Sequence, residues 1–248
     1  YIKHPTLAEL WLYGDFSSKL WIEILKKLFE ILNQFKKYSK SVSLADYNLI
    51  YKTKTEDRMQ ELTNSNESFR HILASDMLFI NGKKYRNWPV VKEEIELKIH
   101  DLYHEKDNCL IHGDLCFSNI FCDFKNKNFK LIDPRGKWGS DMYGDIKYDV
   151  AKIRHSIIDG FDTITNGLYS ASLSESNHVA MKIFKPKNHQ EICTHLDNLI
   201  QNKWNLNEIK LIEGLLFISM LPLHKDHFER QLAFYSIGIQ LLNEVLDE

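Results

Sequence analysis

The sequence predicts a mainly helical α+β chain organised around a small central β element. Three observations carry that prediction. Apolar residues recur at three- and four-residue steps over most of the length, as on the buried face of a helix. Three short apolar runs interrupt this rhythm between polar loops, as short strands do: Cys109-Leu110-Ile111, Ile120-Phe121-Cys122 and Phe129-Lys130-Leu131-Ile132. Composition does the rest: 248 residues with 44% apolar side chains can bury a sizeable core, and 27% charged residues are too few for a disordered chain.

Taken in order, the first helix carries Leu20, Ile24, Leu25, Leu28, Ile31, Leu32 and Phe35, with Ser17 or Ser18 as its cap and an end near Tyr38. A second helix is expected over about 55–62, closed by the polar stretch Thr63-Asn64-Ser65-Asn66. Asn81-Gly82 stands between Leu78-Phe79-Ile80 and Lys83-Lys84-Tyr85, and an Asn-Gly pair readily takes the two positive φ angles of a tight hairpin. Trp88-Pro89 then opens a helix bearing Ile95, Leu97, Ile99 and Leu102. The three strands follow, with a turn of Asp123-Phe124-Lys125-Asn126-Lys127-Asn128 before the last. Helix returns over about 145–158, and a loop-rich segment rich in Ser172, Ser174, Ser176 and Asn177 covers 159–180. Three helices are expected over about 189–202, 206–220 and 226–246, the last two with leucine-rich core faces. No repeat or linker divides the chain.

A net charge of −2 argues against a globally basic nucleic-acid binder. The longest apolar run, 214–223, is about half of the ~20 residues a membrane-spanning helix needs. No signal-like segment is visible, and Cys109, Cys116, Cys122 and Cys193 lack paired CxxC spacing, so free thiols in a reducing cytoplasm are expected. Neither nucleic acid nor a membrane is therefore expected as a partner.

The chemistry-bearing residues gather on the β element. His112-Gly113-Asp114 is followed by Asn119, then by Ile132-Asp133-Pro134-Arg135, then by Gly144-Asp145 and Asp149 at a helix start. Asp114, Asn119 and Asp133 are hard oxygen donors in or beside loops that leave apolar strands. Such donors suit Mg²⁺, which takes one or two carboxylates and completes its shell with phosphate oxygens and water. Phosphoryl transfer needs one carboxylate to orient the attacking hydroxyl and separate groups to hold the metal. His, Asp, Asn and Asp at these fixed spacings arise from background composition with a probability on the order of 10⁻³ in a chain this long.

These motifs resemble the catalytic half of the aminoglycoside phosphotransferase and choline kinase-like family, which phosphorylates small molecules on a protein-kinase-like fold. Gly113 in place of the Arg of protein kinases, and Pro134-Arg135 after Asp133, favour the small-molecule branch. The resemblance implies Asp114 as the catalytic aspartate, Asn119 and Asp133 as Mg²⁺ ligands, and His112, Asp145 and Asp149 as structural residues at the site. It implies nucleotide contacts from Ile2, Lys3, Phe121 and Ile132, with ATP as co-substrate. Residues 1–8 then look like the hinge between lobes and 9–248 like the C-terminal lobe, with a catalytic loop at 110–122, a metal strand at 129–135 and a helical subdomain at 145–248. The family's N-terminal lobe has no counterpart in these residues and is expected upstream, so residues 1–248 alone are expected to transfer phosphate poorly.

Arg135, Lys137, Arg154 and His155 suggest an anion-recognising acceptor site beside the metal strand, with Trp138 and Tyr143 as stacking groups and His224 as a further wall. A sugar, sugar phosphate or polyol is the expected acceptor, and a choline- or aminoglycoside-type kinase is the alternative. The Lys-, Asn- and Ile-rich composition suits an AT-rich bacterial genome, where similar kinases serve capsule and cell-envelope saccharide synthesis. The rival from another class is an inactive kinase-like binding or scaffold module. His100 and His104 share a helix face, but Asp101 stands where a zinc protease needs Glu and no third ligand is evident, so solvated histidines are expected. Cys116 lies in the catalytic loop without a base to activate it.

Overall fold

A computed structural model describes residues 4–124, 126 and 128–247. Helix accounts for 58% and strand for 16%, which is the mainly helical α+β class. Thr6 starts α1 (Leu7–Tyr13) with a reciprocal cap: its hydroxyl accepts the Glu9 N–H at 3.1 Å, and the Glu9 carboxylate accepts the Thr6 N–H at 2.7 Å. Ser17 caps α2 (Ser18–Phe35), whose apolar face buries Trp21, Ile24, Leu25, Leu28, Phe29 and Leu32. The helix expected at 55 begins earlier, as α3 (Leu44–Tyr47), and runs through a π-helical turn at Asn48–Thr53 into α4 (Lys54–Ser65). The buried residues Tyr47, Tyr51, Thr55 and Met59 fall at four-residue steps. On a regular helix each such step drifts by about 40°, and the wider π turn resets the drift. Asn66 ends α4 and caps α5 (Glu67–Leu73), accepting the Phe69 N–H at 3.2 Å.

β1 (Met77–Ile80) and β2 (Lys83–Arg86) form the expected hairpin, with Asn81 at φ 49° and Gly82 at φ 80°. Asn87 caps α6 (Trp88–His100), with Pro89 in its first turn. Next come β3 (Asn108–Leu110), β4 (Ile120–Asp123), β5 (Asn128–Leu131) and β6 (Tyr143–Asp145), then α7 (Ile146–Ile157) and α8 (Phe161–Thr165). The segment expected as loop over 159–180 instead supplies α8 and most of a hairpin, β7 (Tyr169–Ser174) with β8 (His178–Ile183). Its serines hid a two-residue alternation: Ser170, Ser172 and Ser174 are exposed while Tyr169, Ala171 and Leu173 are half-buried. The chain closes with α9 (His189–Gln201), α10 (Leu206–Ser219) and α11 (Phe228–Asp247).

The chain divides into two compact units of three segments each. One comprises residues through 43 with 104–166 and 184–209; the other comprises 44–103, 167–183 and 210 onward. The stretch 145–248, expected as one helical subdomain, is thus shared between them. Nor is there a single central β element. Among the described residues the strands form two two-stranded ladders, β3–β6 and β4–β5, and a four-stranded sheet in the order β2-β1-β8-β7.

The first unit holds both ladders. Its α2 and α7 pack on α9, and α8 packs on α1 and α7. Trp11 meets Trp21 edge-on at 4.9 Å, and Trp21 stacks on Phe117 at 5.8 Å. Pro5 and Thr6 run along β4: the Pro5 carbonyl accepts the Cys122 N–H at 3.0 Å, and Thr6 bridges Phe121. Every residue of α7 is buried, so its charged side chains must find partners inside the protein.

The second unit is built on the four-stranded sheet, against which α11 packs. Phe69, Phe217, Phe234 and Tyr235 are fully buried there. Asn243 of α11 seals the end of β2, accepting the Arg86 N–H and donating to the Arg86 carbonyl, each at 2.9 Å.

Candidate active site

The site is assembled in the first unit from two loops and one helix. After β3 the backbone turns at Gly113, whose φ of +77° favours glycine and whose missing side chain leaves room for Arg135: a Cβ there would lie 2.8 Å from the Arg135 Cβ. The turn is clamped by Asp149, in the first turn of α7. Its carboxylate accepts the His112 N–H at 2.7 Å and the Gly113 N–H at 2.8 Å. Burial pushes the Asp149 carboxyl up to about 7, against the two N–H groups that favour its charged form.

His112 joins the two loops. Its Nδ1 accepts the Asp114 N–H at 3.3 Å, so the proton sits on Nε2, which donates to the Ile132 carbonyl at 2.9 Å. Burial holds the imidazole below its usual pKa, in keeping with a neutral ring. Two backbone hydrogen bonds complete the frame: the Arg135 N–H donates to the His112 carbonyl at 2.9 Å, and the Ile132 N–H donates to the Asn119 carbonyl at 3.0 Å. The frame brings Asp114, Asn119 and the Ile132–Arg135 turn together; Asp133 takes φ 55° within that turn and exposes its carboxylate.

Asp114 is the most elaborately held of these groups. Asn119 Nδ2 donates to its carbonyl at 2.9 Å and to its Oδ2 at 3.1 Å. Lys152 Nζ lies 2.9 Å from its Oδ1. The sequence reading missed Lys152, because a lysine in a predicted helix reads as a solvated charge. Burial lowers the Lys152 pKa, but Asp114 first, with Tyr148 and Cys116, more than offsets this, and the net shift is upward.

Asn119 commits its amide nitrogen to Asp114, which leaves its side-chain oxygen as a donor atom. With the exposed Asp133 carboxylate this makes a pair of hard oxygens, which fits Mg²⁺ bound jointly with phosphate and water. No group of three or more His, Cys, Asp or Glu able to hold a metal ion occurs among the described residues, so a metal at this pair would need further ligands from outside the protein.

The other expected site residues fall as follows. Asp145 caps α7, accepting the Lys147 N–H at 3.0 Å, and Lys147 Nζ pairs with Glu208 at 2.8 Å. Phe121, which Thr6 bridges, and Ile132 are half-buried, while Ile2 and Lys3 lie outside the described residues. Arg135 is exposed, donates to the Tyr148 hydroxyl at 2.9 Å and lies over its ring. Tyr143 is half-buried, with Lys40 over its ring.

The expectations for Trp138, Arg154 and His155 need correction. Trp138 is 1% exposed and stands edge-on to Tyr148, so it is core and offers no open face to a sugar. Arg154 is buried and engaged by Asp197 at 2.9 Å and Asp159 at 3.3 Å, a tie from α7 to α9. His155 is 0% exposed and stacked on Phe161 at 4.4 Å, and burial holds its pKa well below the usual value. Arg154 and His155 were read as surface because the buried circumference of α7 is not visible in its charged sequence. His224 belongs to the second unit, where it packs edge-on to Phe234 at 5.0 Å.

Among the remaining candidates, His104 pairs with Glu208 at 3.0 Å. The four cysteines are free and buried, and burial pushes the Cys116 thiol up to about 11, which disfavours a nucleophile. No helix among the described residues is long and apolar enough to cross a membrane. Comparison with protein-family models, curated proteins and solved structures finds no match to this chain.

Proposed function

We propose that this protein is a small-molecule kinase, transferring the γ-phosphoryl group of ATP to a hydroxyl, and that the chain is the C-terminal lobe of a protein-kinase-like fold. The observation that carries the reading is the hydrogen-bonded frame on His112 and Asp149, which joins Asp114, Asn119 and the Asp133 turn in one loop pair. Asp114 is the general base: it orients the acceptor hydroxyl and receives its proton as the new O–P bond forms and ADP departs with the electron pair of the broken bond. Asn119 and Asp133 hold Mg²⁺, which neutralises phosphate charge when bound. Phe121 and Ile132 border the adenine, near the chain segment that pairs with β4.

The exposed Arg135, steadied on Tyr148, favours an anionic acceptor such as a sugar phosphate or acidic polyol over choline or an aminoglycoside. Service in capsule or cell-envelope saccharide synthesis fits such an acceptor. Free, buried thiols fit a cytoplasmic location.

The test is ³¹P NMR of the intact protein with Mg²⁺·ATP and a panel of sugars, sugar phosphates, glycerate, choline and an aminoglycoside. A new phosphomonoester signal that falls at least 10²-fold in Asp114→Ala is expected. Near-wild-type turnover in that variant refutes the base assignment. Absence of both transfer and Mg²⁺·ATP binding replaces the kinase reading with the scaffold one.

A further inference from the structure

The Asp114 carboxylate is held from two sides by elements far apart in the chain. Asn119, five residues on, reaches Oδ2; Lys152, from the interior of α7, reaches Oδ1. The lysine side chain is only 11% exposed, whereas the Asp114 side chain is 38% exposed. The cation therefore approaches from within the protein, and the carboxylate keeps open surface. An ammonium in such a place costs desolvation that an apolar residue would avoid, and a buried ion pair is weak grounds for stability alone. Its surroundings are specific: Phe161 of α8 lies under the ammonium at 5.9 Å, and Ser156, one turn along α7, accepts the Phe117 N–H at 3.0 Å and so fixes the same loop.

Each carboxylate oxygen has two acceptor positions. With Lys152 and Asn119 taking one on each oxygen, rotation of the carboxylate is stopped while one position per oxygen remains for a hydroxyl. We propose that Lys152 is a positioning residue for phosphoryl transfer, locking the Asp114 carboxylate from the protein interior so that its free acceptor position meets the attacking hydroxyl. This rests on the reading of Asp114 as the base. The acceptor's proton still passes to Asp114, the phosphoryl group to the acceptor oxygen and the electron pair to ADP; the ammonium keeps its protons throughout.

The experiment measures kcat and KM for Lys152→Met, Lys152→Arg, Asp114→Ala and the Asp114→Ala/Lys152→Met double variant. It uses the intact protein, Mg²⁺·ATP and the acceptor that the ³¹P panel identifies, or water as acceptor where none does, with circular dichroism to check folding. Lys152→Met is expected to lose ~10–100-fold in kcat with KM for ATP and acceptor within about twofold. Lys152→Arg, which restores the cation on a longer, planar head, should fall between that variant and wild type, at least threefold below the latter. In the Asp114→Ala background Lys152→Met should cost nothing more, because the lysine acts through the carboxylate.

Wild-type kcat in Lys152→Met, a loss confined to KM, or a full further loss in the double variant overturns the inference; the last result would put the ammonium on the phosphate itself. Should Lys152→Met fail to fold, Lys152→Arg carries the test: a lowered kcat at unchanged KM supports positioning, and wild-type kcat overturns it. Near-wild-type turnover in Asp114→Ala would instead remove the base assignment beneath it, so the two failures are distinguishable.

Discussion

Asp162 stands in the first turn of α8 with 1% of its surface exposed, beside Ser156 and the Ser118 backbone. Burial pushes its carboxyl up to about 6, and Ser156, Lys152 and Ser118 recover only part of the cost. An unfolded aspartate titrates near 3.9. Between about pH 4 and pH 6 the folded protein therefore keeps a proton that the unfolded chain has released, and stability contributed by this group falls as pH rises through that window. Asp162→Asn, which cannot ionise, should gain on wild type by roughly 2–3 kcal/mol between pH 4 and pH 7. Urea unfolding midpoints at the two pH values check this, and parallel pH dependences of the two proteins would contradict it. Residues of this kind also mark the limit of sequence reading. Asp114, Asn119 and Asp133 were legible because they lie on neighbouring loops whose spacing survives in the linear chain. Lys152 was not, because its partner is 38 positions away and only the three-dimensional course of α7 brings them together.

At the scale of elements, α7 organises the first unit. It is enclosed on all sides, and its charges link it outward: Lys147 to Glu208, Lys152 to Asp114, Arg154 to Asp159 and Asp197. Helical periodicity located this helix to within a residue or two but assigned its charged face to solvent, since no apolar stripe distinguishes a helix buried in polar company. Arg154→Met tests the structural assignment. Asp159 and Asp197 retain 20% and 27% side-chain exposure, so water recovers part of the loss. The expected cost is about 1–3 kcal/mol in the free energy of urea unfolding, with KM for the acceptor unchanged. A raised acceptor KM at unaltered stability would return Arg154 to the acceptor site. The other element hidden from the sequence, the β7–β8 hairpin, was masked by its exposed serines, whereas Asn81-Gly82 announced the β1–β2 turn through backbone chemistry that few residue pairs share.

For the whole molecule, the important fact is that neither unit is a continuous stretch of chain. The segment 104–166 contains Asp114, Asn119, Asp133 and Lys152, yet its packing uses Trp21 of α2 from before it, against Phe117, and α9 from after it, against α7. A chain ending at Asn166 should therefore lack a cooperative unfolding transition although it retains Asp114, Asn119, Asp133 and Lys152. Near-ultraviolet circular dichroism and thermal melting measure this, and a sharp melt would show that α9 is dispensable.

The same interleaving sets a clock. A ribosome adding about 5–20 residues per second needs on the order of 3–10 s to pass from Ile157, the end of α7, to residue 209, where the last segment of the first unit ends. Throughout that interval the nascent chain carries the loop residues of the site, while the faces of α2 and α7 that will meet α9 have nothing to cover them. Completion of this unit, and of the packing behind the candidate site, waits on synthesis of α9.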